Sequence, residues 1–286
     1  MAPTSSLLCP SGAALNHETA QPPGGGAPSR ADVTERLDGT AALVTGASSG
    51  IGAATARALA RHGASVSLVA RRKPRLDELA SDLARDGTRV LPIEADITDR
   101  DLAVAAVRET VDEFGRLDTV VNNAGVMLLG PVLDAPTEEW DRMIAINLQA
   151  LLYITHAALP QLLKAAQDSP RRVADVVNIS SVAGRTVRVG SAVYNATKWG
   201  IGAFSESLRQ EVAQRYVRVS LVEPGAADTE LRTHLRPEAR AQQGARFANV
   251  VRLRAEDIAE AVGYVVTRNR EVAINEVLIR PTTQVN

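Results

Sequence analysis

Tyr194 and Lys198 stand four residues apart in a stretch, 192–215, whose apolar spacing predicts a long helix. Residues i and i+4 share a helix face, so the Lys198 ammonium can approach the Tyr194 phenol. A neighbouring cation favours phenolate and is expected to lower a pKa that starts near ~10, giving a proton donor or acceptor usable closer to neutral pH. The chain has only three lysines (Lys73, Lys164, Lys198) and four tyrosines, so chance rarely makes such a pair. An ordinary helix-face contact is the competing reading, and it weakens beside a second feature. Residues 45–52 read TGASSGIG, between a short β-type run and a helical pattern. Glycines there permit a tight turn, let the backbone approach a pyrophosphate, and let the helix pack close to the strand. Gly46, Ser48, Ser49, Gly50, Ile51 and Gly52 are therefore candidate phosphate-side residues, with the helix dipole favouring the anion.

These groups need a frame, and the chain supplies an alternating one. Apolar runs at 41–45, 65–70, 89–93, 117–121, 173–179, 217–222 and 276–280 predict seven strands. Helical patterns lie between them at 51–61, 76–85, 99–114 with Asp99 as a cap, a pair over 137–167 interrupted at Pro160, 192–215 and 256–267. Strands joined by helical crossovers mean a parallel sheet covered on both faces, so the fold class is α/β: one doubly wound Rossmann-type domain over 37–286. Residues 1–36 hold five prolines and Gly24-Gly25-Gly26 with no apolar period, and are expected to be a disordered tail. The second strand ends before Arg71 and Arg72, where an acidic residue would suit the ribose of NAD. Arginine there suits a 2′-phosphate, so the cofactor expected is NADP(H) rather than NAD(H).

Composition narrows the function classes. Of 286 residues, 32 are basic and 33 acidic, which gives no electrostatic grip on nucleic acid or an anionic membrane. A single cysteine, Cys9, excludes an internal disulfide, and the four scattered histidines suggest no metal site. The most apolar segment, 143–163, is broken by Asn147, Gln149, His156 and Gln161, so no membrane span is expected. No basic-then-apolar leader precedes Arg30, and the expected location is cytoplasmic.

With these motifs in hand, the sequence resembles the short-chain dehydrogenase/reductase family over 37–286. The match rests on TGASSGIG at 45–52, Asp96, NNAG at 122–125, Asn147, Ser181, YNATK at 194–198 and PGAADT at 224–229, in the family's order. The resemblance implies hydride transfer between a nicotinamide and a carbonyl or alcohol carbon of a small molecule. It places the acid/base role on Tyr194 and the lysine role on Lys198, which would also hold the nicotinamide ribose. The family's serine falls on Ser180 or Ser181, and a separation of thirteen from Tyr194 selects Ser181. Asn147 would hold a proton-relaying water. Asn123, Ala124 and Gly125 would line the adenosine side, Asp96 and Ile97 the adenine, and Pro224, Gly225 and Thr229 the nicotinamide. The stretches 122–132, 204–212, 223–232 and 276–285 resemble the subgroup containing clavulanic acid dehydrogenase. Homodimers or homotetramers are implied through the helices 148–167 and 192–215.

Two further readings stand beside this one. A catalytically silent dinucleotide-binding regulator would not need Ser181, Tyr194, Lys198 and Asn147 together. An epimerase or dehydratase would need a larger substrate domain than the roughly sixty residues after Pro224. Charge gives a clue to the substrate. Segment 228–254 carries Arg232, Arg236, Arg240, Arg246, Arg252 and Arg254 against Asp228, Glu230 and Glu238, and Arg185 and Arg188 follow Ser181. An anionic, carboxylate-bearing carbonyl substrate is one expectation. A solvated arginine-rich surface is the other.

Overall fold

A computed structural model describes residues 36–285. The tail expected over 1–36 lies outside the described residues, apart from Arg36. Seven parallel strands form one sheet: β1 (Ala41–Thr45), β2 (Ser65–Ala70), β3 (Val90–Glu94), β4 (Thr119–Asn122), β5 (Ala174–Ile179), β6 (Val217–Pro224) and β7 (Glu276–Ile279). Their order is β3-β2-β1-β4-β5-β6-β7. The order reverses between β1 and β4, which is where doubly wound sheets open a ligand crevice at their carboxyl ends.

Strand side chains alternate between two cores, which fixes the register. Leu43, Val120 and Val176 face α3 (Arg100–Phe114), α5 (Ala150–Asp168) and α6 (Ala192–Val212). Ala42, Val44, Val121 and Val177 face α1 (Gly50–Arg61), α2 (Lys73–Arg85) and α8 (Ala255–Val266). Helix boundaries follow local chemistry. Asp99 caps α3 by accepting from the Asp101 and Leu102 amides, and Gly115 closes it in the left-handed region at φ +75°.

One helix boundary departs from the expectation. Pro160 does not interrupt its helix; α5 runs through it. The irregularity lies earlier, where α4 (Thr137–Met143) passes into a π-helical turn, Ile144–Gln149, before α5. Burial of Ile154, Ala158 and Leu162 in the core offsets the ~3 kcal/mol a proline costs inside a helix. The combined run Thr137–Asp168 is long and apolar enough to cross a membrane by composition, but Ala150, Ile154, Ala158, Leu162, Ala165 and Ala166 along it are buried in this core. A further helix, α7 (Pro237–Arg246), fills part of the arginine-rich segment for which the periodicity predicts no element.

Candidate active site

The β1–α1 turn is built for close approach. Gly46 and Gly50 have φ of +66° and +53°, and a Cβ on Gly46 would meet Ala124 Cα at 2.9 Å. A Cβ on Gly52 would clash with the Gly46 carbonyl, so this glycine serves helix–strand packing and does not line the cleft. Thr45 Oγ1 accepts from the Asn123 and Ala124 amides at 3.0 and 3.1 Å, locking β1 to the start of the NNAG loop. Ser49 occupies the N-cap of α1 without a side-chain cap bond, and no acid stands in the first turn. The helix start therefore keeps its positive end open toward the cleft.

At the carboxyl end of β2 the two arginines behave differently. Arg72 donates to Ser48 Oγ, Ser49 Oγ and the Glu230 carboxylate. Arg71 faces Asp96 more loosely, at 3.7 Å. Glu230 also pairs with Arg75, and hydrogen bonds from Arg75 and Arg72 hold its carboxyl down to about 2. Sequence spacing gave no signal for Glu230, whose partners lie more than 150 positions away. A glycine cradle, an open helix start and an arginine–serine cluster at the β2 edge fit a phosphorylated dinucleotide.

The catalytic candidates meet at the ends of β5 and β6. Ser181 caps the short 3-10 turn Val182–Gly184, accepting from the Ala183 amide at 3.1 Å, and its hydroxyl donates to the Pro224 carbonyl at 3.4 Å on the cavity wall it shares with Tyr194. Ser180 instead donates to the Lys198 carbonyl at 3.2 Å. Tyr194 and Lys198 are buried, each 6% exposed. The Lys198 ammonium donates to the Ile179 carbonyl at 3.0 Å and lies 5.9 Å from the Tyr194 ring centroid. The expected lowering of the tyrosine pKa does not hold in this state. Burial pushes the Tyr194 phenol up to about 12, against a smaller downward pull from Ser181, and burial pushes Lys198 down to about 8. Desolvation outweighs the cation because the ammonium is turned to a carbonyl.

Asn147 sits in the π turn, and its side chain is bonded on both sides. Its Oδ1 accepts from the Val126 amide at 2.8 Å, and its Nδ2 donates to the Val126 carbonyl and Thr197 Oγ1 at 2.9 and 3.2 Å. The side chain thus ties the NNAG loop to α6 and spends both Nδ2 hydrogens on protein partners. Like Gly52, it does not line the cleft.

A cavity of about 560 Å³ joins these parts. Ser48, Ser49, Gly50, Ile51, Arg71, Arg72, Asp96, Ile97, Asn123, Ala124 and Gly125 line one side. Ser181, Tyr194, Lys198, Pro224, Gly225 and Thr229 line the other. Several lining residues carry no sequence signal of their own. Gln243 and Phe247 come from α7 and the residue beyond it, and Gln284 reaches in from the C-terminal segment to accept from the Ala226 amide. Arg188 lines the cavity, but Arg185 does not; it pairs with buried Glu223 and with Glu276.

Comparison with known proteins agrees with this geometry. The sequence model of the short chain dehydrogenase family matches residues 40–240. An uncharacterised oxidoreductase of Staphylococcus epidermidis is 38% identical over 240 residues, covering 84% of this chain and 96% of its own. Among solved structures, a serine dehydrogenase complexed with NADP+ superposes with a TM-score of 0.78 at 32% identity, covering 86% of this chain and 97% of its own. A metagenomic short-chain oxidoreductase in complex with NADP gives 0.71 at 34% identity, covering 86% and 99%. The chain belongs to the short-chain dehydrogenase/reductase family of oxidoreductases, which bind a nicotinamide dinucleotide.

Proposed function

We propose that this protein is an NADPH-dependent carbonyl reductase acting on a small aldehyde or ketone, with Tyr194 as its general acid. The observation that carries the reading is the convergence of Ser181, Tyr194 and Lys198 in the same cavity as the open start of α1. When bound, the nicotinamide supplies the hydride. Negative charge then builds on the substrate oxygen, where Ser181 Oγ donates a hydrogen bond and Tyr194 Oη delivers its proton. A phenol held near 12 is protonated at neutral pH, the state a reductase needs. The phenolate left behind is stabilised by Ser181 and by the Lys198 ammonium one helical turn away. Asn147 acts here as a positioning residue that fixes α6 against the NNAG loop.

Preference for NADPH over NADH is supported by the Arg72–Ser48 contact at the edge of β2 and by the NADP complexes of the structural relatives. Resemblance to the clavulanic acid dehydrogenase subgroup supports an aldehyde, and the arginines around the cavity favour one bearing an anion. The outer faces of α5 and α6, where Trp199 is half-exposed, would pair subunits into dimers or tetramers. The site of action proposed is the cytoplasm. NADPH oxidation with a panel of aldehydes and ketones tests the reading. Turnover lost in Tyr194→Phe with NADPH binding retained supports it, and turnover undiminished in that variant overturns it.

A further inference from the structure

The cavity carries cations that its own acids leave uncompensated. Asp96 and Glu230 are the only carboxylates lining it among the described residues. Asp96 accepts from Thr98 and faces Arg71, and Glu230 is held by Arg72 and Arg75. Both acids are thus committed on the glycine-turn side. Arg188, in the loop before α6, and Arg246, the last residue of α7, also line the cavity. Arg188 Nη2 is shielded from solvent and has no hydrogen-bond partner among the described residues. The guanidinium carbons of Arg188 and Arg246 lie 6.0 and 5.9 Å from the centroid of the same Phe247 ring. Burial, then repulsion from Arg246 and Arg280, lowers the Arg188 pKa. An unmet charged donor is costly in the free protein, and an arriving oxyanion removes that cost.

Most other arginines of the segment are already occupied. Arg232 donates to Gln243, Arg236 pairs with Glu139, Arg240 donates to the Thr233 and Leu235 carbonyls, and Arg254 pairs with Asp257. The loop presenting Arg188 is anchored on both sides. Asn195 Nδ2 donates to the Thr186 carbonyl at 2.7 Å, and the Gly130 amide donates to the Gly190 carbonyl at 2.9 Å. Arg188 is therefore preorganised, and two forked guanidiniums match the geometry of a carboxylate.

We propose that Arg188 and Arg246 form a carboxylate-binding subsite, so that the substrate is an aldehyde or ketone bearing a carboxylate, held with its carbonyl toward Ser181 and Tyr194. The proposal rests on the carbonyl-reductase reading, and its test separates the two. Benzoate and benzamide are titrated calorimetrically into the NADP+-loaded protein, with folding of each variant checked by circular dichroism. Wild type binds benzoate at least about tenfold tighter, the scale of a charge-assisted hydrogen bond, and the preference disappears in Arg188→Gln. Arg246→Gln, at an exposed helix end, weakens it as well, and Arg188→Lys restores part of it. In turnover, the kcat/KM ratio of 4-carboxybenzaldehyde to methyl 4-formylbenzoate falls toward one in Arg188→Gln through KM. Equal affinity for the two ligands in wild type, or a preference surviving in both glutamine variants, overturns the subsite. Benzoate preference without turnover of either aldehyde upholds the subsite and counts against the reductase reading.

Discussion

The two ends of the sheet treat charge in opposite ways. At the amino ends of the strands the most deeply buried charges, Asp118, Asp175 and Arg218, are met, while the Arg270 Nε, stacked on Tyr216, has no hydrogen-bond partner among the described residues. Arg218 forks onto Asp175 at 2.7 and 3.0 Å and donates to the Val266, Arg268, Asn269 and Val272 carbonyls. Asp118 accepts from the Ala41 amide and from both sides of the Arg116 fork. At the carboxyl ends the same sheet leaves polar groups open: an uncapped helix start, an arginine nitrogen without a partner, and a tyrosine and lysine whose pKa values burial has moved. The lesson is a division of labour. The Arg218–Asp175 pair joins β6 to β5, while the open groups at the carboxyl ends line the cavity and are held ready for a ligand.

Substitutions at the two ends should therefore fail differently. Arg218→Met leaves Asp175 buried with only Arg171 at 3.4 Å, and should cost about 3–5 kcal/mol of stability by denaturant unfolding. Substrate KM of the protein that remains folded should hardly move. A large KM change with unaltered stability would erase the contrast. At the other end, Arg72→Ala should lower the NADPH-to-NADH ratio of kcat/KM by about tenfold or more while moving the unfolding midpoint little. An unchanged ratio would shift the 2′-phosphate reading to Arg71.

The smallest effect concerns pH. Lys198 is depressed to about 8, so raising the pH through that value removes its proton while Tyr194, near 12, keeps its own. kcat/KM for NADPH, which reports the free enzyme, should fall above about pH 8. A profile flat to pH 10 would contradict the assignment.

What the sequence made legible follows from what is local. Strand alternation, the Asp99 cap and the Tyr194–Lys198 spacing depend on neighbours a few residues apart, and the structure keeps them. The π turn around Asn147, the passage of α5 through Pro160 and the reach of Gln284 into the cavity depend on tertiary partners that periodicity does not register. The direction of the Tyr194 shift belongs with these. Spacing shows the cation, but only the fold shows how deeply the phenol is buried and that Lys198 points at Ile179. Helix α7 went unmarked because its mean composition is polar and none of its residues is buried.

The central claim is that Tyr194 hands a proton to a substrate oxygen at the carboxyl end of the sheet. Single-turnover reduction of an aldehyde by the NADPH-loaded protein, wild type against Tyr194→Phe, tests it most directly. The account predicts a loss of about 10²–10⁴-fold in the rate of NADPH oxidation, with NADPH still bound. Reduction at the wild-type rate by the phenylalanine variant would contradict it.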